Sequence, residues 1–253
     1  MKLHEMSPHT RFADRAEQYA RYRPDYPAAA IDAVLDGCGR VDQMRIADVG
    51  AGTGISSRML SERGAAVIAV EPNFSMIRVA GRNPRIRFIA AGAEATALRS
   101  SSVDLVCSFQ AFHWFDAEAA LTEFHRIVRP GGRLALIWNQ RDRTHPFTEA
   151  YSLLVHEFAS QHPAEERQGV ADPIFATPWF RDAGQVSFPH GQSLSLEDLI
   201  GRARSTSYLP SSGELYERLL GRLAELHAQW RDDRGEVTLG YRTNVYRAAR
   251  SED

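Results

Sequence analysis

The stretch from Arg45 to Gly54, R-I-A-D-V-G-A-G-T-G, constrains the fold more than any other part of the sequence. A short apolar run that contains Asp48 meets three glycines at alternate positions, Gly50, Gly52 and Gly54, and an amphipathic segment follows at once. The pattern predicts a strand, a tight turn and a helix. Glycines let the backbone bend sharply and let a ligand approach without interference from Cβ atoms. The first amides of the helix would point unpaired N–H groups at the turn. We interpret the turn as the floor of a nucleoside-cofactor site.

The second predicted strand ends in an acidic residue. The apolar segment 66–70 is followed by Glu71, about twenty residues beyond the first glycine, where dinucleotide-binding folds hold a ribose diol. A carboxylate can accept hydrogen bonds from both hydroxyls of the diol. A solvated acid at a strand end is the alternative, but the glycine turn upstream favours the ribose role. NAD sites use the spacing G-x-G-x-x-G, whereas here the third glycine comes one position earlier and Ile55 stands in its place.

Strands alternate with helices over the first 140 residues or so, and this alternation predicts a parallel, doubly wound sheet. In such sheets the ligand lies at the carboxyl ends of the strands, beside the topological switch point. The predicted strands are 45–49, 66–71, 86–90, 103–108 and 133–138, followed by 185–189 and a long closing strand at 235–249. The predicted helices are 11–23, 27–37, 53–63, 73–81, 117–128, 146–160, 196–205 and 214–231. The glycine turn and Glu71 both fall at carboxyl ends of strands.

Composition argues against several classes of protein. The 253 residues, 43% of them hydrophobic, can bury one sizeable core. Lys and Arg number 30 and Asp and Glu 32, so the net charge of −2 gives no basic field for nucleic acid. The two cysteines form no zinc-binding spacing, and no apolar run approaches the length of about eighteen residues that a membrane helix needs. We expect a cytoplasmic monomer or homodimer without a metal, a nucleic acid or a membrane as partner.

The glycine spacing, preceded by Asp48, resembles motif I of the class I S-adenosylmethionine (SAM) methyltransferases, here of the type 11 kind. Other matching segments are F-A-D-R-A-E-Q-Y-A-R-Y-R-P-D-Y-P at 12–27, V-E-P-N-F-S-M at 70–76, G-A-E-A-T-A-L at 92–98, S-S-V-D-L-V at 101–106, Q-A-F-H-W-F at 110–115 and R-P-G-G-R-L-A at 129–135. The R-P-D-Y-P and F-H-W-F segments resemble a narrower small-molecule group that includes trans-aconitate methyltransferase-like proteins. The resemblance covers residues 10–142 well and the remainder more weakly.

The resemblance implies an α/β fold with a Rossmann-like sheet of seven strands in the order 3-2-1-4-5-7-6, the last strand being antiparallel. It also implies a helical N-terminal lid and a helical cover inserted after the fifth strand. We therefore divide the single domain, residues 1–253, into a cofactor-binding core with its lid (10–142), a substrate cover (143–234) and the closing strand (235–249).

The same resemblance assigns the cofactor-binding residues. The motif from Asp48 to Gly54, with Ala51 and Thr53 between the glycines, would shape the floor, and Glu71 would hold the ribose. The other predicted contacts are Pro72 and Met76 near the adenine, Ala93 and Glu94 at its edge, Gln110 and Ala111 near the methionine part, and Tyr19 and Arg23 on the lid. Arg23 could instead bind an acidic substrate or lie in solvent, and the sequence leaves these alternatives open.

Candidates for the acceptor site are more scattered. The predicted substrate-binding residues are Tyr22, Tyr26, Phe112, Trp138, Asn139 and Arg141, with Trp179, Tyr208 and His156 as further candidates from the cover. His113 is the candidate general base, because a histidine titrates near neutrality, and Trp114 is a candidate pocket wall. The alternative, which we favour slightly, is that His113 only orders its loop by hydrogen bonding.

The sequence thus predicts an enzyme that transfers a methyl group from SAM to oxygen or nitrogen of a small acidic or aromatic metabolite and releases S-adenosylhomocysteine (SAH). Alignment and exclusion of water supply most of the catalysis, and a base is needed only if the acceptor carries a proton. The alternative is a non-catalytic or reductase-like protein that binds a nucleoside cofactor on a similar floor.

Overall fold

The glycine turn follows a central strand of the sheet. In the computed structural model, which describes residues 16–159 and 171–252, Arg45–Val49 forms strand β1. It pairs in parallel with Ala66–Val70 (β2) on one side and with Val103–Phe109 (β4) on the other. The chain passes from β1 to β2 on one side and later reaches β4 on the other side, so the carboxyl end of β1 lies at the topological switch point.

Four further strands and nine α-helices complete the described part of the chain. The strands are β3 (Ile86–Ile89), β5 (Val128–Arg141), β6 (Phe180–Leu194) and β7 (Val237–Arg250). The helices are α1 (Ala16–Tyr22), α2 (Ala28–Leu35), α3 (Ile55–Glu62), α4 (Phe74–Val79), α5 (Ala117–Ile127), α6 (Pro146–Phe158), α7 (Asp172–Ala176), α8 (Leu196–Arg204) and α9 (Gly213–Trp230).

The strands of the described residues form one sheet in the order β3-β2-β1-β4-β5-β7-β6. The five strands β1 to β5 are parallel, and β7 runs antiparallel to both β5 and β6. The predicted sheet order and the antiparallel last strand are confirmed.

Apolar side chains fill both faces of the sheet. One cluster joins the sheet to α5 and contains Phe124, Leu134 and Trp138, and the other joins it to α2 and α3 and contains Ile31 and Leu60. Strand β4 is buried along its whole length, as is typical of a parallel strand covered on both faces. This packing fixes the strand ends that carry the site.

A third apolar cluster holds the cover together. Helices α6, α8 and α9 pack on one another and on the first half of β7, through residues that include Tyr151, Leu199, Leu223 and Leu239. The cover is therefore attached to the sheet edge next to the end of β5.

Some boundaries differ from the sequence-based expectation. Strand β5 begins at Val128 and includes the proline–glycine segment 129–132, and β6 extends well beyond the predicted 185–189. Because β6 pairs with β7 from Phe180 to Leu194 but is mostly exposed, hydrogen bonding rather than apolar alternation defines it. Of the predicted helix 11–23, residues 11–15 lie outside the described residues. Residues 160–170 of the predicted cover lie outside them too, and α7 follows directly after this gap.

Within residues 16–159 and 171–252, no helix combines the length and the apolar character needed to cross a bilayer. In the same residues, no cluster of three or more His, Cys, Asp and Glu side chains is arranged to hold a metal ion.

Candidate functional site

The three glycines after β1 adopt a backbone conformation that other residues avoid. Gly50, Gly52 and Gly54 have φ angles of 74°, 56° and 74°, in the left-handed region where a Cβ atom is strained. A Cβ at Gly50 would overlap the Cβ of Ala111, whereas a Cβ at Gly52 would meet no protein atom within 4 Å. The turn thus needs glycine for its shape, and the space above Gly52 is open to a ligand.

Asp48 anchors this turn from below. Its carboxylate is fully buried and accepts hydrogen bonds from Ser56 Oγ (2.7 Å) and Ser57 Oγ (2.6 Å) in the first turn of α3. Burial raises the pKa of Asp48 to about 6, although the hydrogen bonds from Ser56, Ser57 and Cys107 oppose the rise. Asp48 therefore ties α3 to β1 and fixes the turn without facing a cavity.

Glu71 is held by backbone amides. Its Oε2 accepts from the N–H of Gly52 and its Oε1 from the N–H of Asn73, both at 2.9 Å. Asn73 in turn caps α4, since its Oδ1 accepts from the N–H of Ser75 (2.9 Å). Glu71 is only 8% exposed, and its carboxylate is thus fixed one strand away from the glycine turn.

A cavity of about 320 Å³ lies over the carboxyl ends of β1, β2 and β4, within the size range of small-molecule sites. The predicted residues that line it are Tyr19, Gly50, Gly52, Glu71, Pro72, Met76, Ala93, Glu94, Gln110, Ala111 and Trp114. Sequence reasoning missed four others, Asn73, Phe109, Phe115 and Asp116. We call this space the first cavity.

Gln110 marks the inner end of the first cavity. It is a non-glycine residue with a φ of 57°, a conformation that persists only where the surroundings enforce it. Its backbone N–H donates to the carbonyl of Ile137 (2.8 Å), and its side-chain Nε2 donates to the carbonyl of Asn139 (2.9 Å). These bonds hold β4 to β5 at the point where the strands open toward the site.

A second, smaller cavity of about 50 Å³ adjoins the first. The two share the lining residues Tyr19, Gly50, Gly52, Phe109 and Gln110. The second cavity is further lined by the predicted residues Arg23, Tyr26, Ala51, Thr53, Asn139, Arg141 and Tyr208. It lies between the lid residues, the glycine turn, the end of β5 and the cover.

Arginines dominate the charge of the second cavity. Arg23, Arg141 and Arg202 line it, and none of its lining residues in the described part of the chain is an aspartate or a glutamate. Arg202 Nε donates to the hydroxyl of Tyr241 (3.2 Å), and its Nη1 donates to Oγ1 of Thr206 (3.1 Å). Burial, followed by the positive charge of Arg202, lowers the pKa of Arg23 from its ordinary value.

His113 lies outside the lining of both cavities. Its Nδ1 accepts a hydrogen bond from Nε1–H of Trp138 (3.3 Å). Burial, with a smaller contribution from the charge of Arg23, lowers the pKa of His113 to about 3, so the imidazole is neutral at physiological pH. This arrangement favours the loop-ordering role, and Trp114 lines the first cavity rather than the second.

Other predicted site residues lie away from both cavities. Phe112 and Trp138 are buried in the core beside α5, and Tyr22 packs against α8, where its hydroxyl donates to Glu197 (3.3 Å). Gly54 only starts α3, Trp179 packs on His125 and His156 is exposed on α6. We propose no direct substrate contact for these side chains.

The cover and strand β7 contribute residues that sequence reasoning missed, namely Tyr151, Val155, Arg202 and Thr206 from the cover and Tyr241 from β7. The sequence does contain a signal for Arg202, because a charged residue three positions after Leu199 interrupts the apolar face of α8, and this indicates a buried polar site. Tyr241 had none, because it reaches the cavity only through the pairing of β7 with β5.

The fold and the site together define a class of protein, a doubly wound α/β domain with a cavity at its topological switch point and a smaller second cavity beside it. Residues 47–136 match the family described as "Methyltransferase domain". A methyltransferase-like protein of Schizosaccharomyces pombe (strain 972 / ATCC 24843), named as uncharacterised, is 31% identical over 200 residues, which are 78% of each chain. An uncharacterised methyltransferase of Mycobacterium tuberculosis (strain ATCC 25618 / H37Rv) is 42% identical over 132 residues, which are 52% of this chain and only about half, 53%, of that relative.

Two solved structures extend the comparison. A candidate type II methyltransferase from Anaeromyxobacter dehalogenans is 25% identical with a TM-score of 0.65, over 90% of this chain and 97% of its own. A phosphoethanolamine N-methyltransferase of Haemonchus contortus in complex with SAM is 18% identical with a TM-score of 0.56, over 100% of this chain and 60% of its own, and shows the shared fold. The chain belongs to the methyltransferase family, with the fold of the class I SAM-dependent members.

Proposed function

We propose that the protein transfers a methyl group from SAM to oxygen or nitrogen of a small acidic or aromatic metabolite and releases SAH. The observation that carries the proposal is the junction of two cavities at the glycine turn and Gln110, beside the switch point of the sheet. Transfer needs a donor and an acceptor on either side of one small gap, and a protein gains most of its rate by holding both in line.

The residues of the first cavity fit SAM. The glycine turn leaves open space above Gly52, and the fixed carboxylate of Glu71 could accept hydrogen bonds from the ribose hydroxyls. Met76 and Ala93 would pack against the adenine, and Gln110 would lie near the methionine part. When bound there, SAM supplies an electrophilic methyl carbon on a positively charged sulfur.

The side chains that line the second cavity favour an acceptor that needs no general base. In the described residues its lining includes no aspartate, glutamate or histidine. Burial raises the pKa of Tyr26 and of Tyr151 above the ordinary value, so these two phenols stay protonated at neutral pH. A carboxylate has no proton to lose at neutral pH. This favours an acidic metabolite within the proposed class, in agreement with the resemblance to trans-aconitate methyltransferase-like proteins.

Calorimetric titration of the purified protein with SAM, SAH and NAD tests the donor. We expect SAM and SAH to bind and NAD not to bind. Binding of NAD without SAM would instead support the reductase-like alternative.

A metabolite screen tests the acceptor. The protein is incubated with SAM and, in parallel reactions, with mixtures of small carboxylates, phenols and amines, with mixed proteins or with nucleic acid, and products are detected by mass spectrometry as the gain of one CH₂ unit. A methylated small molecule is expected. Formation of methylated protein or nucleic acid alone would contradict the small-molecule assignment.

A further inference from the structure

Helix α1, which belongs to the predicted N-terminal lid, contacts the cover at its C-terminal end through polar side chains. Arg21 forms an ion pair with Glu197 on α8 (3.0 Å), and Gln192 Nε2 of β6 donates to the carbonyl of Tyr22 (3.0 Å). The ring of Tyr22 lies against Gly201, where a Cβ atom would overlap the ring. Helix α1 and helix α8 therefore fit face to face, and Tyr19 on α1 lines both cavities.

Two arginines from opposite sides of this contact converge at the end of α8. Arg23, directly after α1, donates from Nη2 to the carbonyl of Ser205 (3.0 Å). Arg202, within α8, donates from Nη1 to the hydroxyls of Ser205 (3.5 Å) and Thr206 (3.1 Å). The two guanidinium groups thus both donate to Ser205, and both arginines line the second cavity.

No carboxylate in the described part of the chain balances the positive charge of this pair, although the guanidinium of Arg23 lies over the ring of Tyr19 (4.7 Å to the ring centroid). Neither Arg23 nor Arg202 forms an ion pair with a carboxylate of residues 16–159 or 171–252. The Nε of Arg23 is inaccessible to solvent and has no hydrogen-bond partner in those residues. Two like charges with an unsatisfied buried donor are costly, and an oxyanion between them would offset both costs, because carboxylate and phosphate groups accept the forked donors of arginine.

We infer that the acceptor carries an oxyanion group, carboxylate or phosphate, that binds between Arg23 of the lid and Arg202 of the cover and thereby holds the lid closed over the cofactor. The inference deepens the proposed function and rests on it. Because the anion bridges the two elements, its binding would also stabilise the docked position of Tyr19 beside the first cavity. Acceptor and cofactor would then bind with positive coupling, and the coupling must be reciprocal.

The experiment measures SAH affinity of the full chain by calorimetry at constant ionic strength. The titration is done alone and with saturating millimolar succinate, inorganic phosphate or the neutral analogue succinamide. We expect at least one oxyanion to tighten SAH binding about tenfold, within the usual range of coupling, and succinamide to have no such effect. Succinate and phosphate as separate additions identify which oxyanion the site takes.

Variants test whether the two arginines carry the coupling. Arg23→Met and Arg202→Met should each abolish the oxyanion effect on SAH affinity. Arg204→Met, an exposed change on the same helix outside both cavities, should retain it. Circular dichroism and thermal melting confirm that each variant is folded, and Arg→Lys at the same positions should restore part of the coupling.

Three results would overturn the inference while leaving the proposed function intact. These are SAH binding that no oxyanion strengthens, equal strengthening by succinamide, and coupling that survives in both methionine variants. Failure of SAH and SAM to bind at all would instead refute the proposed function.

Discussion

Replacement of Glu71 by glutamine removes a charge but keeps the shape of the side chain. The two backbone N–H groups of Gly52 and Asn73 both donate to the carboxylate at 2.9 Å. A glutamine offers only one acceptor oxygen, so its amide NH₂ must face one of these donors.

Two effects set the size of the loss in cofactor affinity. A hydrogen bond to a charged acceptor contributes about 1.5–3 kcal/mol, which the ribose would lose. A buried N–H left without an acceptor costs about 1–3 kcal/mol and loosens the glycine turn. Because about 1.4 kcal/mol corresponds to a factor of ten, we expect Glu71→Gln to weaken SAH binding about 100-fold.

Calorimetric titration with SAH measures this change, and Glu62→Gln, an exposed carboxylate on α3, is the matched control. The control should bind SAH as the wild type does. If Glu71→Gln stays within about threefold of the wild-type affinity, a difference below about 0.7 kcal/mol, the carboxylate does not hold the ribose.

Three further predictions concern the turn and its surroundings. Burial raises the pKa of Asp48 from 3.8 to about 6, so between these pH values the folded state binds a proton that the unfolded state has lost. The free energy of unfolding therefore falls by about 3 kcal/mol as the pH rises through this range. The free energy of unfolding of Asp48→Asn, measured by urea denaturation as the difference from wild type, should therefore rise by about 3 kcal/mol between pH 3 and pH 7. A difference that does not change with pH would contradict the raised pKa. His113→Asn keeps an acceptor for the Trp138 N–H and should leave the shape of the pH–rate profile between pH 5 and 8 unchanged. If His113 were the catalytic base, its loss would lower turnover about 100-fold or more. Gly50→Ala should destabilise the fold more than Gly52→Ala, because only at Gly50 would the new methyl group meet other protein atoms. Gly52→Ala should fold but bind SAH weakly. A lower melting temperature for Gly52→Ala than for Gly50→Ala would refute this account of the turn.

The sheet and the residues that line the first cavity could be predicted because their signals are local in sequence. A few neighbouring residues are enough to predict the glycine turn at positive φ, the apolar strands, and an acidic residue, Glu71, at the end of β2. The order of the strands came from the resemblance, and the structure confirms it.

The lining of the second cavity was harder to predict because its residues meet only through tertiary packing. Arg202 and Tyr241 come from α8 and β7, and the hydrogen bond between them spans 39 residues of sequence. Trp138, by contrast, is predicted from sequence to bind the substrate, but its side chain is buried in the core beside α5. In a strand that is buried on both faces, apolar character does not tell which side chain faces a cavity.

A crystal structure of the protein with SAH tests the central claim most directly. We predict that the ribose hydroxyls lie within hydrogen-bonding distance of the Glu71 carboxylate. We also predict that the sulfur lies near Gln110, facing the cavity lined by Arg23 and Arg202. Clear density for SAH at another place, with the glycine turn and Glu71 facing solvent only, would contradict the account.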